Sequence, residues 1–232
     1  MPPLPSGGAS HRRPGTLVLA TLILALGAAA APARASVFYD ATLDLGLSDD
    51  ARIFLNVTND YFAPPPPVAV DLVRRCRVPV DDFPTILFLA RVSKRPPDSI
   101  LHLRLDYLSW SDIMERLKVQ PSVLFTGLDR DPGPPYGKAW GYWRKHPHDE
   151  SLRFRDRDVV ELVKLQVGSR CQRVSPYAIA SVRQQEIKVE RYVAERNRGR
   201  YSKTKGGSHA AGQGKPKGSG KPPGHDKPHG HD

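Results

Sequence analysis

Apolar residues recur at helical spacing through the middle of the chain. Phe83, Ile86, Leu87 and Ala90 stand at i, i+3, i+4 and i+7, and Val159, Leu162, Val163 and Val167 form a second such stripe. Leu87 to Ala90 is apolar on its other faces too, which predicts a central helix. Val68 to Arg75 opens another helix with Val70, Leu72 and Val73 turned inward. Nearer the start the period changes. Ala41–Leu47 alternates, with Leu43, Leu45 and Leu47 on one side, and Arg52–Thr58 is a second strand-like run. With Ser48-Asp49-Asp50 as a turn between them, residues 36–67 are predicted to hold a β-hairpin followed by the proline spacer Pro64–Pro67. A lone hairpin is marginal in water and must pack on the helices.

Part of the helical pattern occurs twice. Setting Arg91–Pro97 above Arg170–Pro176 places Ile100 on Ile179, Leu103 on Val182, Arg104 on Arg183, Leu108 on Ile187, Trp110 on Val189 and Ile113 on Tyr192. Each copy reads as helix, basic turn, proline-started helix, short turn, helix, because proline fits a first helical turn where its missing N–H would be unpaired anyway. Ser175 is a good N-cap, whereas Pro96 offers none. Ser109-x-x-Asp112 and Asp158-x-x-Glu161 are capping-box patterns for the third helix of copy one and the first of copy two. Two copies are too few for a solenoid, so the expected fold is mainly α, about six or seven short helices in two related helical-hairpin halves of one compact domain. That domain spans 68–200, its halves being 68–125 and 151–200.

Residues 126–150 separate the halves. Their glycines and prolines exclude a long helix, yet Tyr136, Trp140, Tyr142 and Trp143 crowd together beside Lys138, Arg144, Lys145, His146 and His148. Two readings stand. The rings fill the groove between the halves as core, or they stack on sugar rings or bases while the cations meet acidic groups. Asp129–Gly133 lacks the ligand spacing of a calcium loop and reads as a turn. Asn56-Val57-Thr58 is a glycosylation acceptor pattern.

Charge sharpens the ends of the chain. Lysine and arginine number 35 against 24 aspartate and glutamate, a formal +11. Residues 1–35 read as a secretory signal peptide, with basic His11–Arg13, apolar Leu17–Ala31 and an A-x-A site at Ala33–Ala35. No later segment is long enough to span a membrane. Residues 201–232 contain eight Gly, six Lys, four Pro and four His, with almost nothing to bury, and are expected to be a disordered basic tail. The body, 36–200, is nearly balanced. In the oxidising compartment that export implies, Cys76 and Cys171 are expected to form a structural disulfide, the alternatives being two buried thiols or a reactive pair.

Recognisable hydrolase, P-loop and dinucleotide-binding patterns are absent, and nothing nominates a nucleophile. His225, His229 and His231 offer imidazole ligands to Zn²⁺ or Cu²⁺ on a tail that does not preorganise them, and His146-Pro147-His148 is a second such pair. Leu108–Ser122 resembles a bacterial helix-turn-helix, but Val123–Gly127 supplies no polar recognition helix. The likeness is one of hairpin geometry, and intracellular nucleic acid is not an expected partner.

Leu87–Arg91, Arg95–Pro97, Leu108–Ile113, Asp156–Asp158 and above all Gly133–Pro147, a GPPYGKAxGYWRKHP-like motif, resemble a group of small exported bacterial proteins over roughly residues 38–195. The resemblance implies a periplasmic or secreted location and carries no activity, cofactor or catalytic residue. The leading functional expectation is a non-enzymatic exported protein that binds anionic envelope polymers or membrane surfaces through the tail and the cluster Tyr136, Lys138, Trp140, Tyr142, Trp143, Arg144 and Lys145. The alternatives are a periplasmic metal-binding protein using the tail histidines, and an enzyme of unrecognised type.

Overall fold

The computed structural model of the chain describes residues 31–147, 149 and 151–202, with side chains from Val37 to Tyr201. They form ten α-helices: α1 (Ala31–Leu43), α2 (Asp49–Phe62), α3 (Pro66–Arg75), α4 (Pro79–Ser93), α5 (Pro97–Leu105), α6 (Trp110–Arg116), α7 (Gly137–Lys145), α8 (Asp156–Gln172), α9 (Pro176–Gln184) and α10 (Val189–Ser202), with a 3-10 turn at Pro121–Phe125. The mainly helical expectation holds.

The expected β-hairpin over residues 36–67 does not form, and no strand occurs among the described residues. Ser48, read as a turn residue, is the N-cap of α2. Its Oγ accepts from the Ala51 amide at 3.3 Å, and Asp49 and Asp50 lie in the first turn where the helix dipole favours them. Ile53–Thr58 is buried on every face, so no polar period betrays the helix, and its β-branched and aromatic content mimics a strand. The polar members are satisfied internally. Asn56 donates to the Arg52 carbonyl at 2.8 Å and Thr58 to that of Phe54 at 2.8 Å. Asn56 is thus buried inside a helix, not offered as a glycosylation acceptor. The proline spacer is shorter than expected, because Pro66 and Pro67 start α3.

The offset of seventy-nine positions reappears in the backbone. α4 ends at Ser93 and α8 at Gln172; α5 spans Pro97–Leu105 and α9 Pro176–Gln184; α6 begins at Trp110 and α10 at Val189. Matched residues take matched left-handed conformations: Lys94 (φ 57°) and Arg173 (φ 54°) close α4 and α8, and Tyr107 (φ 65°) and Glu186 (φ 63°) follow α5 and α9. The proposed caps behave unevenly. Ser109 Oγ accepts from the Asp112 amide at 3.1 Å and Ser175 Oγ from that of Ala178 at 3.3 Å, while Pro96 makes no side-chain cap. The box proposed at Asp158-x-x-Glu161 does not operate: α8 starts two residues earlier with Arg155 as its uncapped flank, and Asp158 is engaged by Arg155. Ser109→Ala is expected to cost about 1 kcal/mol, read as a lower urea midpoint at unchanged m.

α4 and α8 form the centre. Every residue from Asp82 to Ala90, and from Leu162 to Ser169, is buried. α2 lies across this pair and is covered by α10, its most extensive partner. Tyr201, expected in the tail, instead belongs to α10: it is 5% exposed and donates to Asp60 at 2.8 Å on α2. Ser202 ends the same helix, and the tail from Lys203 on, with His225, His229 and His231, lies outside the described residues, as do residues 1–30 of the expected signal peptide.

The expected disulfide is not formed. Cys76 and Cys171 are both free, and they sit in different neighbourhoods: Cys76 is buried at the end of α3 beside Asp82 and Arg75, and Cys171 lies at the end of α8 beside Arg91, Arg170 and Asp60. Burial pushes both thiols up, that of Cys171 to about 12. Neither is a ready thiolate nucleophile.

Candidate functional site

The segment between the halves is anchored and partly helical. Tyr177 of α9 accepts from the Arg130 amide at 2.7 Å and donates to Asp129 at 2.7 Å, and Gln184 donates to the Pro132 carbonyl at 2.8 Å. Gly133, at φ 72°, passes so close to Gln184 that a Cβ there would meet its Nε2 at 2.6 Å. Asp131 accepts from the Gly133 amide at 2.8 Å, and the chain bends at Arg130 before turning at Pro134–Tyr136. This delivers the chain to α7.

α7 divides the predicted cluster by face. Tyr136 is 1% exposed against α8 and α9. Trp140 is half-buried, its indole N–H directed at the Leu128 carbonyl at 3.4 Å, and Trp143 stacks on Phe125 with centroids 4.7 Å apart and planes 11° from parallel. These three rings pack against the core. The outer face carries Lys138, Tyr142, Arg144 and Lys145, all exposed. Tyr142 stands edge-on to Phe154 at 6.0 Å and to His146 at 5.7 Å, so it is held in place although 47% exposed. No acidic residue occurs from Tyr136 to His146, and Lys138, Arg144 and Lys145 make no ion pair among the described residues. Neighbouring cations differ: Arg153 holds both Asp112 (3.1 Å) and Glu115 (2.5 Å), and Arg155 holds Asp158 (2.9 Å).

A second feature had no sequence signature. A cleft of about 960 Å³ opens between the α1–α2 turn, the first turns of α4 and α8, and the α9–α10 turn. On its wall Lys164, whose side chain is 7% exposed, is clamped between Asp81 of α4 at 2.5 Å and Glu190 of α10 at 2.6 Å. Burial opposes the charged ammonium, but the two carboxylates outweigh it and raise the lysine above its ordinary value. Lys164 is therefore a held cation, not a nucleophilic amine. Beside it Arg183 Nε lies 3.3 Å from Glu161, and Arg183 also directs Nη1 at the Ile187 carbonyl at 3.4 Å.

The first half has the same arrangement. Arg104 Nε lies 3.4 Å from Asp82, and Arg104 Nη1 donates to the Leu108 carbonyl at 3.0 Å. Asp82 and Glu161 stand seventy-nine positions apart, like the arginines. That spacing was available in the sequence upstream of the segment where the two copies were aligned, but Asp82 taken singly reads as a dipole partner in the first turn of α4, and Glu161 as a charge on the second turn of α8.

Among the described residues no helix is long and apolar enough to cross a membrane, and no three His, Cys, Asp or Glu side chains gather as a metal site. Compared with known proteins, the chain matches no family model, no curated protein sequence and no solved structure.

Proposed function

We propose that this is a non-enzymatic exported protein that binds anionic envelope polymers through the outer face of α7, assisted by the basic tail. The carrying observation is that Lys138, Arg144 and Lys145 project to solvent without a carboxylate partner among the described residues, on a helix fixed to the core by Tyr136, Trp140 and Trp143. Exposed cations held on a rigid element keep their full charge for a partner, and the attraction weakens with salt. Tyr142, standing among them, adds a flat surface for a sugar ring. The matched left-handed residues after α4 and α8 and after α5 and α9, with the matched arginine–carboxylate pairs, further support an origin of α4–α6 and α8–α10 in one duplicated hairpin unit.

The test is retention of the purified protein on cell-wall sacculi, lipopolysaccharide and anionic vesicles. Wild type is expected to bind at low salt and to release as salt rises. Changing Lys138, Arg144 and Lys145 together to Gln is expected to move release to clearly lower salt with an unchanged thermal midpoint, since exposed unpaired charges contribute little to folding. Equal release of wild type and triple variant on all three matrices removes α7 from the proposal.

A further inference from the structure

Cations gather at one end of the bundle. α4 and α8 finish side by side, since Arg170 lies over the Phe88 ring at 5.3 Å and Arg91 lies beside Cys171. α10 ends at the same place. There Arg200 and Tyr201 both bond Asp60 at 2.8 Å, and Asp60 neighbours Cys171. No acidic residue occurs from Phe83 to Pro97, from Leu162 to Gln185, or from Arg196 to His225. Three acid-free stretches of chain thus converge on one pole.

The cations of this pole keep their charge. Lys94 and Arg95 after α4, and Arg173 after α8, are exposed and make no ion pair among the described residues. Arg91 is exposed too, and only neutral groups hold it. It donates to the Phe62 carbonyl at 3.0 Å and lies over the Phe62 ring at 4.6 Å. The acids around the pole are already engaged: Asp60 by Arg200 and Tyr201, Asp98 at the start of α5 by Arg75 at 3.0 Å, and Asp129 by Tyr177 at 2.7 Å. Helix ends favour cations in the last turn, which gives Arg91 and Arg170 a local role. Lys94, Arg95 and Arg173 follow the helices, and among the described residues their side chains bond none of the terminal carbonyls. Lys94 and Arg173 even take the left-handed conformation, φ 57° and 54°, that glycine usually supplies after a helix.

The chain beyond α10 adds to the same end. Lys203 and Lys205 follow Ser202 directly, and covalent geometry keeps both within about 11 Å of it. Lys215, Lys217, Lys221 and Lys227 come after them, against Asp226 and Asp232 alone.

We propose that this pole, with the basic segment that leaves it, docks the protein on an anionic phospholipid surface. The cations are spread over the ends of three helices and a long lysine-bearing segment. An extended anionic sheet meets more of them at once than a small ligand or a single polymer strand does. Tyr61 and Phe62, half-buried beneath Arg91, bring aromatic rings to headgroup level. The α7 face is a separate surface, because α7 packs near the start of α8 through Tyr136 and Ala139, whereas the pole lies at its end. The assignment does not need the α7 reading to hold.

The test is sedimentation of the purified protein with vesicles of mixed phosphatidylglycerol and phosphatidylcholine, with phosphatidylcholine vesicles and cell-wall sacculi as comparisons. Wild type is expected to bind the phosphatidylglycerol vesicles far more tightly than phosphatidylcholine alone, and to release as salt rises. Changing Lys94, Arg95 and Arg173 together to Gln is expected to weaken that binding roughly a hundredfold, at about fivefold for each cation near the surface. The three side chains are exposed and unpaired, so the thermal midpoint should hold. If that variant does not fold, Lys203→Gln with Lys205→Gln removes two cations at the same end and should cost about twenty-fivefold. The Lys138, Arg144 and Lys145 variant should lose far less on vesicles than the pole variant does. Should that α7 variant also keep its hold on sacculi, the α7 reading fails while the pole stands. No preference for phosphatidylglycerol, equal vesicle binding by wild type and the folded pole variant, or a pole variant that loses more on sacculi than on vesicles overturns the assignment.

Discussion

Lys164→Met is expected to lower stability by about 3–5 kcal/mol at neutral pH, the usual consequence of leaving buried charges without their partner. The side chain is nearly inaccessible and is shared by Asp81 and Glu190, which come from different halves of the chain. Removing the ammonium leaves two carboxylates facing each other, with Glu190 only 13% exposed. Their mutual repulsion then has no cation to offset it. The lysine sets the pH range in which the clamp holds. Its raised value means that its stabilisation is complete below the unfolded lysine value of about 10.4 and is lost only as pH rises through the higher folded one. Urea midpoints of wild type and variant across pH are the measurement. A Lys164→Met, Glu190→Leu double variant should recover most of the loss, because an apolar pair of similar volume replaces a buried ion pair at little net cost. A wild-type advantage that does not fall as pH rises through the lysine range, or a double variant no better than the single, would show that the clamp is not what holds α4, α8 and α10 together.

The helical stripes of α4 and α8 were legible because each keeps a 3.6-residue period over more than two turns, and the proline starts of α5 and α9 were placed to the residue. Ser109 and Ser175 were legible as caps because that chemistry is local. α1 and α2 were not, for a reason visible at Ile53–Thr58. A short helix buried all round loses the polar face that distinguishes it from a strand, and the alternating Leu43, Leu45 and Leu47 belong partly to α1 and partly to the turn after it. The tail boundary failed by a single contact: Tyr201 looked like the edge of a low-complexity segment, and only the return of α10 onto α2 gives its hydroxyl Asp60 to bond.

The candidate sites divide along the same line. The α7 cations and rings are contiguous, so they were found, although which rings face inward depends on where the helix starts. The cleft is assembled from residues far apart in sequence, Asp81, Lys164, Arg183 and Glu190, and no linear motif announces such a set. The repeat would have been the one way in. Asp82 and Glu161 obey its offset, whereas Asp156 and Arg77 occupy matched positions with opposite charge. Asp156 thus reaches Arg104 and the Trp110 amide in the other half, while Arg77 bonds the Leu105 carbonyl of its own.

Trp110→Ala is expected to cost about 3–5 kcal/mol, as large-to-small changes at buried tryptophans do. The ring is wholly buried, and the Arg104 guanidinium lies 4.6 Å from its centroid. Truncation removes both the packing between α6 and α8 and the flat surface on which the arginine rests, while leaving the backbone N–H that Asp156 accepts from. The carboxylate cap should therefore survive as the ring is lost, and the Trp110 amide in NMR spectra distinguishes lost packing from a lost cap. Trp110→Phe is the informative control. The indole Nε1 is buried with no partner, so replacing it by phenylalanine removes an unsatisfied donor and offsets part of the lost area. The phenylalanine variant is expected to lose no more than about 1–2 kcal/mol, well under half the alanine deficit. Urea unfolding followed by circular dichroism measures both. Equal losses in the two variants would mean that the indole N–H is bonded after all, and a loss under about 1 kcal/mol in Trp110→Ala would place the ring outside the core.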